Sequence, residues 1–203
     1  KIPQPIIDLY DSFTHGGIDR REFLVRLAVL AGGAAGVSAL LPLLTNDYAR
    51  ATTVAEEDPR IVSANVQFDT SEVEDPPESG SRSINAYLAR PAAEPIAPAI
   101  IVIHENRGLN AHIKDVARRF ALEGFHAFAV DMLTPFGGTP EDENAARELF
   151  GAIDRERTAM KLALIVEQLA LLKTHQRKVG AVGFCWGGGM VNALAAVTPH
   201  LRA

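Results

Sequence analysis

The sequence predicts an α/β domain built on a doubly wound, mostly parallel sheet, preceded by a helical leader over residues 1–51. Three observations carry this reading. Apolar runs of strand length alternate with helix-like periodicities from residue 61 onward. Glu105, Asp131 and Cys185 each stand just beyond the carboxyl end of such a run, where open α/β sheets place their sites. A Gly-x-Cys-x-Gly pattern joins the last run to a helix. Composition agrees. A chain of 203 residues with 47% hydrophobic content can bury a sizeable core, and a net charge of −5 leaves no general basic surface for a phosphate backbone, so nucleic acid is not an expected partner. The one cysteine excludes an intrachain disulfide and a cysteine-based zinc site, and no cofactor or metal is expected.

The leader comes first. Asp19-Arg20-Arg21-Glu22-Phe23-Leu24 precedes a stretch without formal charge over residues 27–44, which Gly32, Gly33, Gly36 and Pro42 keep only mildly hydrophobic. Ala49-Arg50-Ala51 follows as a small-x-small cleavage pattern, and residues 52–60 turn acidic and polar. This is the order of an export signal, and paired arginines ahead of Phe-Leu are similar to the twin-arginine type. The expectation is export by the twin-arginine machinery to a bacterial periplasm, with no stable membrane span after cleavage. The alternatives are an uncleaved anchor or an ordinary amphipathic helix. An amphipathic stretch with Ile6, Leu9, Tyr10 and Phe13 precedes the arginines, and the sequence assigns it no role.

Residues 52–82 read as a linker and first strand, and residues 83–203 as the main domain. Alternating patterns over 61–68 and 84–88 predict two strands, separated by the turn cluster from Glu74 to Gly80 and therefore an antiparallel opening. The fully apolar run over 99–103 predicts a strand buried on both faces. Ile113, Val116, Ala117, Phe120 and Ala121 then recur at helical spacing up to Gly124, which can supply a left-handed cap. A strand over 127–130, a glycine-containing loop over 135–140, and a largely helical segment over 141–173 follow, the last one open to division at Gly151. Leu162, Ile165, Val166 and Leu169 should form its buried face. A strand over 178–182 and a helix over 187–197 complete the series.

The junction Gly183-Phe184-Cys185-Trp186-Gly187 fits the nucleophile elbow with cysteine in place of serine. Glycine is required on both sides because the nucleophile sits on a strained turn, where neighbouring Cβ atoms would collide with strand or helix. The positive end of the following helix favours thiolate at Cys185, and the N–H of Trp186 is placed to bind an oxyanion. A phosphate-binding loop does not fit, since no Lys-Ser/Thr follows the glycines, and neither does a G-x-G-x-x-G fingerprint.

Three blocks together, Ile103-His104-Glu105-Asn106-Arg107-Gly108-Leu109, Ala129-Val130-Asp131-Met132-Leu133 and Val182-Gly183-Phe184-Cys185-Trp186-Gly187-Gly188, resemble the dienelactone hydrolases (carboxymethylenebutenolidases) of the α/β-hydrolase superfamily. The likeness runs from about Ser83 to the end of the sequence. It implies hydrolysis of an ester or lactone through a thioester on Cys185, with Glu105 contacting and helping to activate the resting thiol. The same resemblance makes the N–H of Asn106 the second oxyanion donor beside Trp186.

It also implies an aspartate and a histidine well beyond the nucleophile, which would lie past residue 203, so that residues 83–203 would be a partial domain, inactive alone. His200 is too close to Cys185 to be that histidine, His104 should point away from the Glu105 side, and His112, His126 and His175 read as surface or packing residues. The family's substrate-holding arginine has no counterpart over residues 134–144; of the two readings of Arg107, a substitute anchor or a solvated side chain, the expectation is solvated, which leaves the substrate open. The rival reading is a non-catalytic, exported binding or thiol-sensing protein on the same fold.

Overall fold

A computed structural model describes residues 2–14, 17–44, 52–74 and 81–203. The expected cleavage pattern Ala49-Arg50-Ala51 and most of the turn cluster after Glu74 lie outside the described residues. The chain forms two compact units, residues 1–50 and 51–203.

The first unit is helical: α1 (Gln4–Thr14), α2 (Arg20–Leu30) and α3 (Ala34–Leu44). Asp19 caps α2 by accepting from the Glu22 N–H at 2.8 Å, so the paired arginines are its first two residues, both exposed. Gly32 and Gly33, with φ of 75° and 111°, break the uncharged stretch between α2 and α3. The amphipathic stretch packs the unit together, since Ile6 and Leu9 of α1 are buried with Phe23 and Leu27 of α2, and Phe13 stacks on Phe23 at 4.6 Å. Among the described residues no single helix is long and apolar enough to cross a membrane; α2 and residues 34–41 meet the length and composition together, bent by 109°.

The second unit is a five-stranded sheet in the order β1-β2-β4-β3-β5, with β1 (Ile61–Asp69), β2 (Ser83–Pro91), β3 (Ala99–Ile103), β4 (His126–Asp131) and β5 (Val179–Gly183). β1 and β2 pair antiparallel, as do β2 and β4, whereas β3 pairs parallel with both β4 and β5. Only β2 runs against the others. The sheet is therefore mostly parallel in strand direction but mixed in its pairings, because the antiparallel opening is inserted beside β4 rather than standing apart.

Helices cover both faces. α4 (Ala111–Leu122) buries Ile113, Val116, Ala117 and Ala121 against Tyr87, Val102, Ala127 and Ala129. On the other face α6 (Arg155–Leu171) and α7 (Trp186–Val197) bury Leu162, Ile165, Leu169, Met190 and Leu194 against Ile84, Ile101, Ile103, Phe128 and Val130. Alternate residues of each strand serve the two faces, which is why the inner strands read as continuous apolar runs. Gly124 follows α4 with φ 87°, as its capping position requires, and Gly151 ends a short α5 (Glu143–Phe150) before α6 begins at an Asp154 cap.

The segment expected to be a linker is anchored at its start. Asp115, fully buried on α4, accepts from the backbone N–H groups of Thr53 and Val54 at 2.9 and 2.8 Å, and the Arg118 Nε donates to Val54 O at 2.7 Å. Leu201 makes a parallel bridge to Val179, so the backbone just after His200 lies against the outer edge of β5.

Candidate active site

The site is assembled where β3, β4 and β5 end. The β3–β5 ladder finishes at Ile103 and Gly183, and Phe184 N–H still donates to Ile103 O at 3.2 Å. Glu105 and Cys185 each stand two residues past this last pair, so the register carries both off the sheet side by side, with neighbouring strands about 4.8 Å apart. Glu105 and Asn106 are half-buried; Cys185 is exposed.

Cys185 has φ 51° and ψ −114°, a conformation L-residues avoid and one that stores about 1–3 kcal/mol. The flanking glycines make it possible. A Cβ on Gly183 would fall 2.6 Å from Gly188 N and closer to the carbonyl of Gly187. One on Gly187 would fall 2.7 Å from His104 O and closer to Ile103 O. The turn thus packs its own helix against the end of β3, with no room for a side chain at either position. Trp186 opens α7, so its N–H lies in the first turn, where no intrahelical carbonyl can reach it, and it finds no partner among the described residues. Sulfur and free N–H emerge from one turn.

Two other strand-end residues organise the loops. Asp131, buried, accepts from Leu133 N–H (3.0 Å), Thr139 N–H (2.9 Å) and Thr139 Oγ1 (2.8 Å), and so folds residues 131–139 back on themselves. Thr139 Oγ1 also accepts from Leu109 N–H at 2.8 Å, tying that loop to the one after β3. Gly108, at φ 74°, lies directly against Thr139, and a Cβ there would overlap it. His104 is fully buried beneath Trp186, their rings stacked at 6.2 Å and 18°, with Phe150 edge-on to both. Burial pushes its imidazole below the ordinary value of 6.5, outweighing the bond to the Glu105 backbone and the nearby Asp131 and Glu105 carboxylates.

Arg107 corrects an expectation. Its side chain is 10% exposed and pairs with Glu143 of α5 at 2.9 Å, so it is enclosed rather than solvated. The partner lies 36 residues away, and no local pattern announces it. His126 and His175 are packing residues, their rings edge to face at 5.3 Å and bonded to the carbonyls of Glu94 and Leu169. The ring bonds of His104, His126 and His175 all go to backbone groups rather than to Cys185. A cleft of about 470 Å³ opens beside the end of β4, lined by Asn65, Gln67, Asn85, Lys114, Asp131 and Thr139 among others, but neither Cys185 nor Glu105 lines it.

An open α/β sheet with a strained cysteine at a strand-to-helix elbow defines a protein of the α/β-hydrolase class. The chain belongs to the dienelactone hydrolase family, whose sequence profile matches residues 84–203. Residues 1–32 match a second profile, described as YqhI-like. The chain is 41% identical over 117 residues to the protein of Escherichia coli (strain K12) named "Putative hydrolase fragment YghX", covering 57% of this chain and 94% of that one. It is 36% identical over 127 residues to a Synechocystis protein named "Putative carboxymethylenebutenolidase", of which the match covers 51%. The chain thus spans about half the length of the relatives bearing that name. The crystal structure of a dienelactone hydrolase from Anabaena variabilis superposes with a TM-score of 0.51 at 21% identity, over 71% of this chain and 62% of that one, and shares the fold.

Proposed function

We propose that this protein cleaves an ester or lactone through Cys185 as nucleophile. The observation that carries the reading is the elbow: an exposed cysteine at φ 51°, held between two glycines that admit no Cβ, with an unpartnered N–H on the next residue. Sγ attacks the substrate carbonyl carbon, the S–C bond forms, and the carbonyl π electrons move to oxygen. The N–H groups of Trp186 and Asn106 receive that oxyanion. Its collapse breaks the bond to the leaving oxygen, which departs as an alcohol or, from a lactone, as a hydroxyl still tethered to the acyl group. Water then attacks the thioester, releasing the carboxylic acid and restoring the thiol.

Glu105, brought beside the elbow by the β3–β5 register, takes part in activating the thiol. The family resemblance implies that a histidine and an aspartate complete the proton path, carrying the thiol proton to the leaving oxygen and returning one from water to the sulfur. Residues 1–51 serve as a twin-arginine-type export signal, a reading supported by the exposed Arg20-Arg21 pair at the start of α2 and the uncharged stretch after it.

The test is mass spectrometry of the full-length natural protein after incubation with an ester-mimicking, thiol-directed inhibitor, alongside turnover of simple aryl esters. Stoichiometric modification at Cys185, with turnover lost in Cys185→Ala, is the expected result. Turnover persisting in Cys185→Ala, or no modification, would overturn the mechanism in favour of a binding protein on the same fold.

A further inference from the structure

His104 ends the strand that presents Glu105 and Asn106, and both of its ring nitrogens are committed. A carbonyl oxygen only accepts, so the 2.6 Å contact between Nδ1 and Glu105 O puts the ring proton on Nδ1. A backbone N–H only donates, so the 3.1 Å contact from Met132 N leaves Nε2 bare. The partners fix one neutral tautomer. Burial, which disfavours the imidazolium, keeps the ring in that state. Trp186, stacked at 6.2 Å, and Phe150, edge-on at 6.5 Å, flank the ring.

The Glu105 carbonyl and the Asn106 N–H belong to a single peptide group. That group is planar and trans, so its C=O and N–H point in opposite directions. With the carbonyl drawn inward onto His104, and further held by Gly108 N–H at 3.3 Å, the Asn106 N–H is aimed away from the buried ring. Cys185 is exposed at the same end of the sheet, two residues past the Ile103–Gly183 pair as Glu105 is.

We propose that His104 is the positioning residue of the oxyanion hole: its Nδ1–H fixes the Glu105–Asn106 peptide plane and so holds the Asn106 N–H alongside that of Trp186. The inference rests on the reading of Cys185 as a nucleophile. One ring serves both donors, reaching Asn106 through the shared peptide and Trp186 by stacking. Without the Nδ1 bond the peptide keeps only the longer bond from Gly108 N–H at 3.3 Å, and rotation against that weaker restraint would present a carbonyl oxygen, an acceptor, to the developing negative charge.

Two substitutions separate positioning from packing in the full-length protein. His104→Asn keeps an amide donor near the Nδ1 position; His104→Gln reaches the Nε2 position, where its amide oxygen can accept from Met132 N–H, but it loses the donor to Glu105 O. Both remove the ring. Three readouts are needed: kcat and KM on an aryl ester, affinity for a trifluoromethyl ketone that adds to the thiol and forms an oxyanion, and the rate of Cys185 alkylation by iodoacetamide, which forms none.

The expected result is a loss of about 10²-fold in kcat and in ketone affinity for His104→Gln, the scale seen when one oxyanion donor is removed. KM and the alkylation rate should stay within about threefold, and His104→Asn should recover most of kcat. Equal losses in both variants, an unimpaired His104→Gln, or alkylation falling in step with kcat would overturn the positioning role. An unsubstituted protein that is alkylated at Cys185 yet neither turns over ester nor binds the ketone would overturn the nucleophile reading, and this inference with it.

Discussion

Gly187→Ala is the sharpest test of the elbow, because the obstacle is backbone that cannot swing aside. The new Cβ would lie 2.7 Å from His104 O, and nearer to Ile103 O, where ordinary contact begins at 3.4 Å. Relief requires the first turn of α7 to move off β3 by about 0.7 Å or more, an overpacking of the kind that costs about 1–3 kcal/mol. Replacing a helical glycine returns roughly 0.8–1 kcal/mol, so the net destabilisation should fall between about 0 and 2 kcal/mol. The displaced turn carries both Cys185 and the Trp186 N–H, and a misplacement approaching 1 Å is expected to lower ester turnover about 10²-fold.

The control is one residue away. A Cβ on Gly188 meets nothing closer than Gly183 O at 3.4 Å, so Gly188→Ala should be neutral or slightly stabilising. Urea unfolding followed by the fluorescence of Trp186, the sequence's one tryptophan, reads stability at the elbow itself, and aryl ester turnover reads the site. A Gly187→Ala protein with unchanged midpoint and rate, or a Gly188→Ala protein damaged as badly, would refute the close-packing argument.

Two further predictions concern the scaffold. Asp115→Ala removes a fully buried carboxylate that holds Thr53 and Val54 and lies 3.7 Å from the buried Arg118; it should cost about 3–5 kcal/mol and speed hydrogen exchange at those two amides, and a loss below about 1 kcal/mol would contradict the anchoring role. His104 and His175 are both held below their ordinary value of 6.5, chiefly by burial, so the unfolded chain binds more protons below that pH. Their contribution is complete above about pH 6.5 and is lost as pH falls toward the lower folded values, at up to about 1.4 kcal/mol per pH unit for each group. Urea midpoints that stay flat or rise from pH 7 to pH 5 would show that these histidines are not buried in neutral form.

What the sequence determined by itself is what local chemistry encodes. Strand and helix periods place α4, α6 and the inner strands because each face must bury its own apolar residues. The Gly-x-Cys-x-Gly spacing marks the elbow because only glycine tolerates such close backbone approach. Tertiary structure alone decided the rest, wherever the partner is distant in the chain. Arg107 reads as solvated until Glu143 arrives from α5. The opening strand pair joins β4 only because Ala86 and Tyr87 find Val130 and Ala129 across the register. His104 reads only as a side chain pointing away from the Glu105 side until folding sets the Glu105 carbonyl at one nitrogen, the Met132 N–H at the other and Trp186 across its face. A hydrogen bond fixes a peptide plane only after the sheet has brought donor and acceptor within 3 Å or so, and no residue spacing records that distance.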